Sequence, residues 1–291
     1  VNAKTLQTIA QLRARKAMGI AARRRRMPRQ IPPDRVADDY VRDVLRLVAP
    51  RLRAAFQPLL AELPGMAARA RSRLERHDAD DGKRVRALIR AAGERINPTE
   101  AEIATVARAS AERTSAYQRV QLDRQIGAAL GGETVRTTNV LGPMAEAYID
   151  ANVGLITNIG NVAAFDVEML VLRGIQDGTR HEDMAAEIAG IVSGGEERAK
   201  LIARDQVGKI YGQINAARQR QMGVTRFVWR TSNDARVRDE HTERQEASDP
   251  NQGGTPYSYD EPPDGELPGE PILCRCHAEP FLDDILDALD D

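Results

Sequence analysis

The sequence predicts a mainly α protein that ends in a small, loop-rich α+β module. Leu, Ile and Val recur at helical spacing along most of the chain, only 4% of residues are aromatic, and the period switches to strict alternation at TRFVWRT, residues 225–231. Beyond Ser232 the chain is polar and rich in Pro, Gly and Asp. Its 291 residues suffice for one or two domains with a core. There is no run of about 18 apolar residues, so no membrane span is expected. The basic N-terminus lacks an apolar stretch followed by a small-residue cleavage site, so no secretory signal is expected. Two cysteines cannot staple a secreted scaffold of this size, and a reducing compartment is the expectation.

The elements follow in order. Residues 3–26 read as a basic helix stopped at Met27-Pro28, and QIPP (30–33) as extended, because each proline disfavours helix in the residue before it. An amphipathic pattern runs from Asp34 to Leu59, with Pro50 and Pro58 expected to kink or break it. LPG at 63–65 reads as a turn. Residues 66–77 and 82–95 read as two Arg-rich helices separated by HDADDG. INPTEAEI starts the next helix, with Asn97 as cap, Pro98 in the first position and Glu100 in the third, and it runs to about Leu130, where Gly131-Gly132 ends it. A helical region from Gly142-Pro143 to Gly174 is expected to break near Gly154 and Gly160. A short helix capped by Thr179 follows, with Glu182 or Asp183 in its first turn, and Gly194-Gly195 then opens a long helix with the apolar stripe Leu201, Ile202, Val207, Ile210, Tyr211 and Ile214. Gly223 closes it. Phe227 and Trp229 share one face of the strand, PYSYDEPPDGELPGEP is an ordered loop, and PFLDDILDALDD is an acidic amphipathic helix. The domains are therefore read as a basic arm (1–33), a helical region (34–132) and a C-terminal module (133–291).

The net charge of −1 conceals an asymmetry. Residues 1–33 carry nine Lys/Arg and no acid, whereas residues 234–291 carry 17 Asp/Glu against four Arg. Such a chain suits different partners at its two ends. Arg13, Arg15, Lys16, Arg23, Arg24, Arg25, Arg26 and Arg29 are candidate contacts for DNA or an acidic protein surface, or else form a solvated face. No aromatic residue interleaves with them, so base stacking on single strands is not indicated.

The most distinctive constellation is ordered along the chain. IARDQ (202–206) lies in a long helix, WRTSNDARVRDEH (229–241) carries Trp229, Asp234, Arg236, Arg238 and His241, and PGEPILCRC (268–276) holds Cys274, Arg275 and Cys276, the two cysteines of the sequence. Taken together, residues 140–283 resemble the C-terminal module of the Mu F-like phage head morphogenesis, or minor capsid, proteins. The sequence departs from that pattern after His241, where HTERQEASDPNQGG replaces a hydrophobic-Gly segment. The resemblance implies a virion protein, present in several copies at the portal or inside the phage head and in the host cytoplasm during assembly. It implies a role in head assembly, DNA packaging or ejection, with portal or major capsid protein and packaged double-stranded DNA as partners. It also implies no established enzymatic activity for the module, and no cofactor is expected, apart from zinc as an alternative. With only a short acidic helix after the module, no toxin cargo is expected.

The residues themselves leave alternatives open. Cysteines at i and i+2 of an extended segment point to one face, so Cys274 and Cys276 could ligate a zinc ion with His241, His277 and Asp234. They could also form a strained disulfide, or be small buried thiols packed under Trp229 with Arg275 paired to an acid. Asp234, Arg236, Arg238 and His241 read as a polar network that pins a loop, since bidentate carboxylate–guanidinium pairs fix geometry where packing cannot. The rival is a metal-dependent or transferase-like catalytic cluster, although no nucleophile motif accompanies it. A third reading is a DNA-binding module acting through residues 1–30. His77 and His181 lie in polar turns and read as solvated.

Overall fold

The computed structural model describes residues 10, 27–72, 79–130, 140–281, 283 and 284. Six helices precede a small sheet among them. These are α1 (Asp34–Ala55), α2 (Gln57–Ser72), α3 (Ala79–Ile96), α4 (Glu100–Leu130), α5 (Leu141–Asp177) and α6 (His181–Gln221). Strand β1 (Arg226–Arg230), helix α7 (Asp239–Ser248), β2 (Tyr257–Ser258) and β3 (His277–Pro280) follow. The fold is thus mainly helical with a small antiparallel sheet near the C-terminus, as the change of sequence period predicts. The basic helix expected over 3–26, apart from Ala10, lies outside the described residues, as do Gly131-Gly132 and most of the expected acidic helix beyond Phe281.

The chain folds as two compact units: Asp38–Arg108 with Ala147–Arg204, and Val1–Ala37 with Ala109–Glu146 and Asp205–Asp291. Among the described residues, the regular elements of the first unit are all helices. Its core is apolar, with Tyr40, Val44, Leu52, Leu63, Met66, Ile103 and Val167 fully buried. Tyr40 OH donates to Asn152 Oδ1 at 2.7 Å, which satisfies the buried phenol.

Several breaks expected from Pro and Gly do not occur. The chain does break at Phe56, and Pro58 sits in the first turn of α2, where its missing N–H costs nothing. But α1 runs through Pro50, and α2 runs through Pro64, the expected LPG turn. There, the burial of Leu59, Leu63, Met66 and Ala67 keeps the segment helical. The ADDG of the expected linker is the first turn of α3. In α4 the cap is Thr99, not Asn97. Thr99 Oγ1 accepts from the Glu102 N–H at 3.3 Å and Glu102 Oε2 accepts from the Thr99 N–H at 2.9 Å, a reciprocal capping box.

Helix α5 is continuous for 37 residues through Gly154 and Gly160, and α6 for 41 residues through Gly194-Gly195. The expected short helix and long helix are therefore one. None of these glycines terminates its helix, and Gly160 and Gly195 serve close approach. A Cβ on Gly160 would lie 2.1 Å from Asn97 Oδ1, and one on Gly195 would lie 3.0 Å from Leu52 Cδ1. The carbonyl of Arg180 receives the first bonds of α6, so the cap position falls one residue after Thr179. Within the expected stripe Leu201 is exposed, while Val207, Ile210, Tyr211 and Ile214 are buried. Gly223 closes α6 as expected: at φ 78° it lets Val224 N donate to Gln219 O and Gly223 N to Arg220 O, a Schellman end.

The second unit packs the C-terminal parts of α4 and α6 with the sheet. Strand order is β2-β1-β3, both pairs antiparallel, with Trp229 opposite Ala278 and Arg230 opposite His277. Phe227 and Trp229 enter a core with Met27, Leu122, Ile126, Tyr259, Cys274 and Cys276. The QIPP segment has no regular secondary structure, and its Gln30 is buried. Gln30 donates to Gln125 Oε1 at 2.8 Å and Asn215 Oδ1 at 3.0 Å, and accepts from Tyr211 OH at 2.6 Å.

Candidate functional site

The cysteine segment reaches its place because α6 lacks side chains where the loop crosses it. A Cβ on Gly212 would lie 2.5 Å from Pro268 O, and one on Gly208 would lie 3.3 Å from Cys274 O. The two glycines are one helical turn apart, so they form a single seat. Gly269 crosses it at φ 101°, a conformation that glycine takes without strain. Leu273 then sits at φ 55°, in the left-handed region that a branched residue rarely adopts. Its N–H donates to Asp205 Oδ1 at 2.8 Å, Arg238 donates to Ile272 O at 2.7 Å, and Cys274 N closes onto Pro271 O at 2.9 Å.

His241 comes from the first turn of α7. It is 2% exposed, and its ring centroid lies 5.3 Å from that of Trp229. His241 Nδ1 is 3.7 Å from Cys274 Sγ and 3.4 Å from Cys276 Sγ. The three donor atoms lie within 4.8 Å of one another, and all three residues are buried. The other ring nitrogen, Nε2, has no hydrogen-bond partner and lies 3.5 Å from Glu240 Oε1.

Neighbouring groups lower the Cys274 thiol and burial lowers the His241 imidazole from their ordinary values. The Cys274 thiol is brought down to about 7 by the Cys276 thiol, the backbone N–H groups of Cys276 and Gly269 and the Arg238 charge, against the opposing effect of burial. Cys276 is pushed up correspondingly by Cys274 and by burial. His241 is pushed down by burial, then by Arg238 and Arg244. Both cysteines are free and belong to the apolar cluster around Trp229.

Other sequence-predicted residues lie elsewhere. His277 follows Cys276 directly, but strand alternation turns it away. Its Nε2 accepts from Gln30 N at 3.3 Å, and burial, then Arg230 and Arg29, bring its pKa down to about 3. Asp234 lies with Arg275 rather than with the thiols. Arg275 bonds Asp234 and, at 2.6 Å, Asp34, while Asp234 Oδ1 accepts from Arg236 N at 3.0 Å. Hydrogen bonding from that N–H and the Arg275 charge hold the Asp234 carboxyl below its usual range. The Arg236 side chain is exposed beside Asp234. His181 is half-buried and next to Glu182. Of the basic candidates only Arg29 is described, and its carbonyl accepts from Arg124 at 2.8 Å. His77 and the other basic candidates lie outside the described residues.

Sequence reasoning missed three charged groups. Arg230, 3% exposed, donates to Asp249 Oδ2 at 2.5 Å and Glu279 Oε1 at 2.8 Å, joining β1, the end of α7 and β3. Burial acts against its charge, yet Glu279 and Asp249 raise its pKa. Asp284 accepts from Thr225 N at 2.9 Å and Arg226 N at 2.8 Å, fastening the chain after β3 to the start of β1. Arg244 lies 4.9 Å over the Trp229 ring and bonds Asp264 and Glu266. A charged residue beside Trp229 within a strand was the one available signal for Arg230.

Residues 165–279, which include β1, α7, His241, both cysteines and Arg230, match a family described as Phage Mu protein F like protein. A stretch of 138 residues, 47% of this chain, is 33% identical to an uncharacterized protein of Haemophilus influenzae. The matched stretch corresponds to 29% of that relative's length. No solved structure matches the chain.

Proposed function

From the premise that residues 165–279 form a Phage Mu protein F like module, we propose that the chain is a minor component of a phage head, bound at the portal or inside the shell and needed for head assembly, DNA packaging or ejection. The family match is the observation that carries this reading. In it the protein acts by binding, in several copies per particle, and assembles in the host cytoplasm before entering the virion. The second compact unit supplies a rigid module, and α5 supplies a docking face. Leu155, Val162, Phe165 and Met169 fall on one side of that helix and are all exposed, Phe165 at 63%. By length and composition α5 is also apolar enough to cross a membrane, with 33% of its most apolar window buried. In our reading a portal or capsid protein covers this face. The basic residues of the N-terminal arm complement the phosphates of packaged DNA.

An in-frame deletion in the phage genome tests the proposal. Lysates should then contain malformed, empty or non-infectious heads, rescued by the chain supplied in trans. An unchanged titre of normal particles would overturn it. Phe165→Asp should reproduce the defect while leaving the purified protein folded.

A further inference from the structure

We propose that His241 Nδ1 and the thiolates of Cys274 and Cys276 bind one zinc ion. The spacing of the donor atoms carries this inference first. In a tetrahedral site with Zn–S of about 2.3 Å and Zn–N of about 2.05 Å, each sulfur lies about 3.6 Å from the nitrogen. The observed separations are 3.7 and 3.4 Å, and the three donor atoms all lie within 4.8 Å of one another. Two soft sulfurs and one imidazole are a donor set that selects zinc over hard, oxygen-seeking cations.

The surroundings of the sulfurs point the same way. The Cys276 N–H donates to Cys274 Sγ at 3.4 Å. A buried neutral thiol has little need of such a donor, whereas a metal thiolate is stabilised by it. His241 fits as well. If Nδ1 gives its lone pair to the ion, the proton resides on Nε2, the buried atom that otherwise has no partner, beside the Glu240 carboxylate. The left-handed Leu273 is a strained residue immediately before a ligand, held by Asp205.

Binding releases the two thiol protons as two zinc–sulfur bonds and one zinc–nitrogen bond form, and water takes the fourth vertex. The ion would join the first turn of α7 to the segment before β3. It does not depend on the phage reading, since the site is complete within one chain.

The test uses the full chain, expressed with zinc and reductant and freed of loosely held metal by gel filtration. Elemental analysis should give one zinc per chain. Cobalt exchanged into the protein should show the ligand-field bands of a tetrahedral ion and a thiolate charge-transfer band. Chelation should lower Tm, and zinc should restore it. Glu240→Gln, at an exposed position, should fold normally and weaken zinc binding by about 10-fold or more. Cys274→Ser and His241→Asn should lose the ion. A folded wild-type chain with substoichiometric zinc and no cobalt–thiolate band would overturn the proposal. So would a Cys274–Cys276 disulfide formed in the presence of zinc, or full zinc retention in the Cys274→Ser variant.

Discussion

The two compact units are stabilised by different physics. In the helical unit the buried interior is mostly apolar, with Asn152 and Asp81 as buried polar exceptions, and pairs such as Arg51–Glu102 and Arg53–Glu196 are partly or largely exposed. In the sheet-bearing unit charge and amide groups are themselves buried: Arg230 with Asp249 and Glu279, Arg218 with Ser115 and Gln118, and Asn215 and Gln219 both donating to Ala278 O. A three-stranded sheet with strands of two to five residues offers little apolar area. Directional bonds therefore fix its register, and bonds of the same kind, from Asp205, Arg238 and Arg275, hold the cysteine segment.

The sharpest way to break this contrast is to remove a charge from each unit. Arg230→Ala leaves two carboxylates buried and unpaired and should destabilise by about 3–5 kcal/mol. Arg51→Ala, at a partly exposed pair, should cost less than about 1 kcal/mol. Chemical denaturation of both variants decides whether the buried triad carries the difference. The second effect is that of pH. His277 has a folded pKa near 3, below its ordinary value of 6.5, so the fold stabilises the neutral ring. That contribution is complete above pH 6.5 and is lost as the pH falls toward 3, at about 1.4 kcal/mol per unit. Urea midpoints measured across this window should fall steeply for the wild type and less steeply for His277→Gln.

Glycine substitutions give smaller effects of opposite sign. Gly212→Ala would drive a methyl into Pro268 O and should cost about 1–3 kcal/mol. Gly194→Ala meets nothing within 4 Å and should raise stability by up to about 1 kcal/mol. Equal effects in thermal melts would mean that the glycines of α6 do not seat the loop. In the helical unit, Thr99→Ala removes the α4 cap and should cost about 1 kcal/mol.

Much of this was legible in the sequence, and the failures share a cause. The switch of period at TRFVWRT located β1, and the order of Trp229, His241, Cys274 and Cys276 marked the residues that the fold gathers. Gly160 and Gly195 were read as breaks because a sequence does not show which glycine faces a neighbouring helix. Pro64 was read as a turn because local backbone preference was weighed without the burial of Leu63 and Met66. Arg230, Asp249 and Glu279 could not be joined beforehand, since their contact depends on the β1–β3 register and on where α7 ends. His277 was grouped with the thiols by adjacency, whereas alternation along the strand sends it to Gln30.

The central claim, that this chain is a fixed part of a phage head, is tested most directly by quantitative mass spectrometry of purified, nuclease-treated particles. The account predicts the chain in those particles at a constant ratio to the portal protein, in several copies per head. Its absence from intact particles, with the chain recovered only from the soluble lysate, would contradict the account.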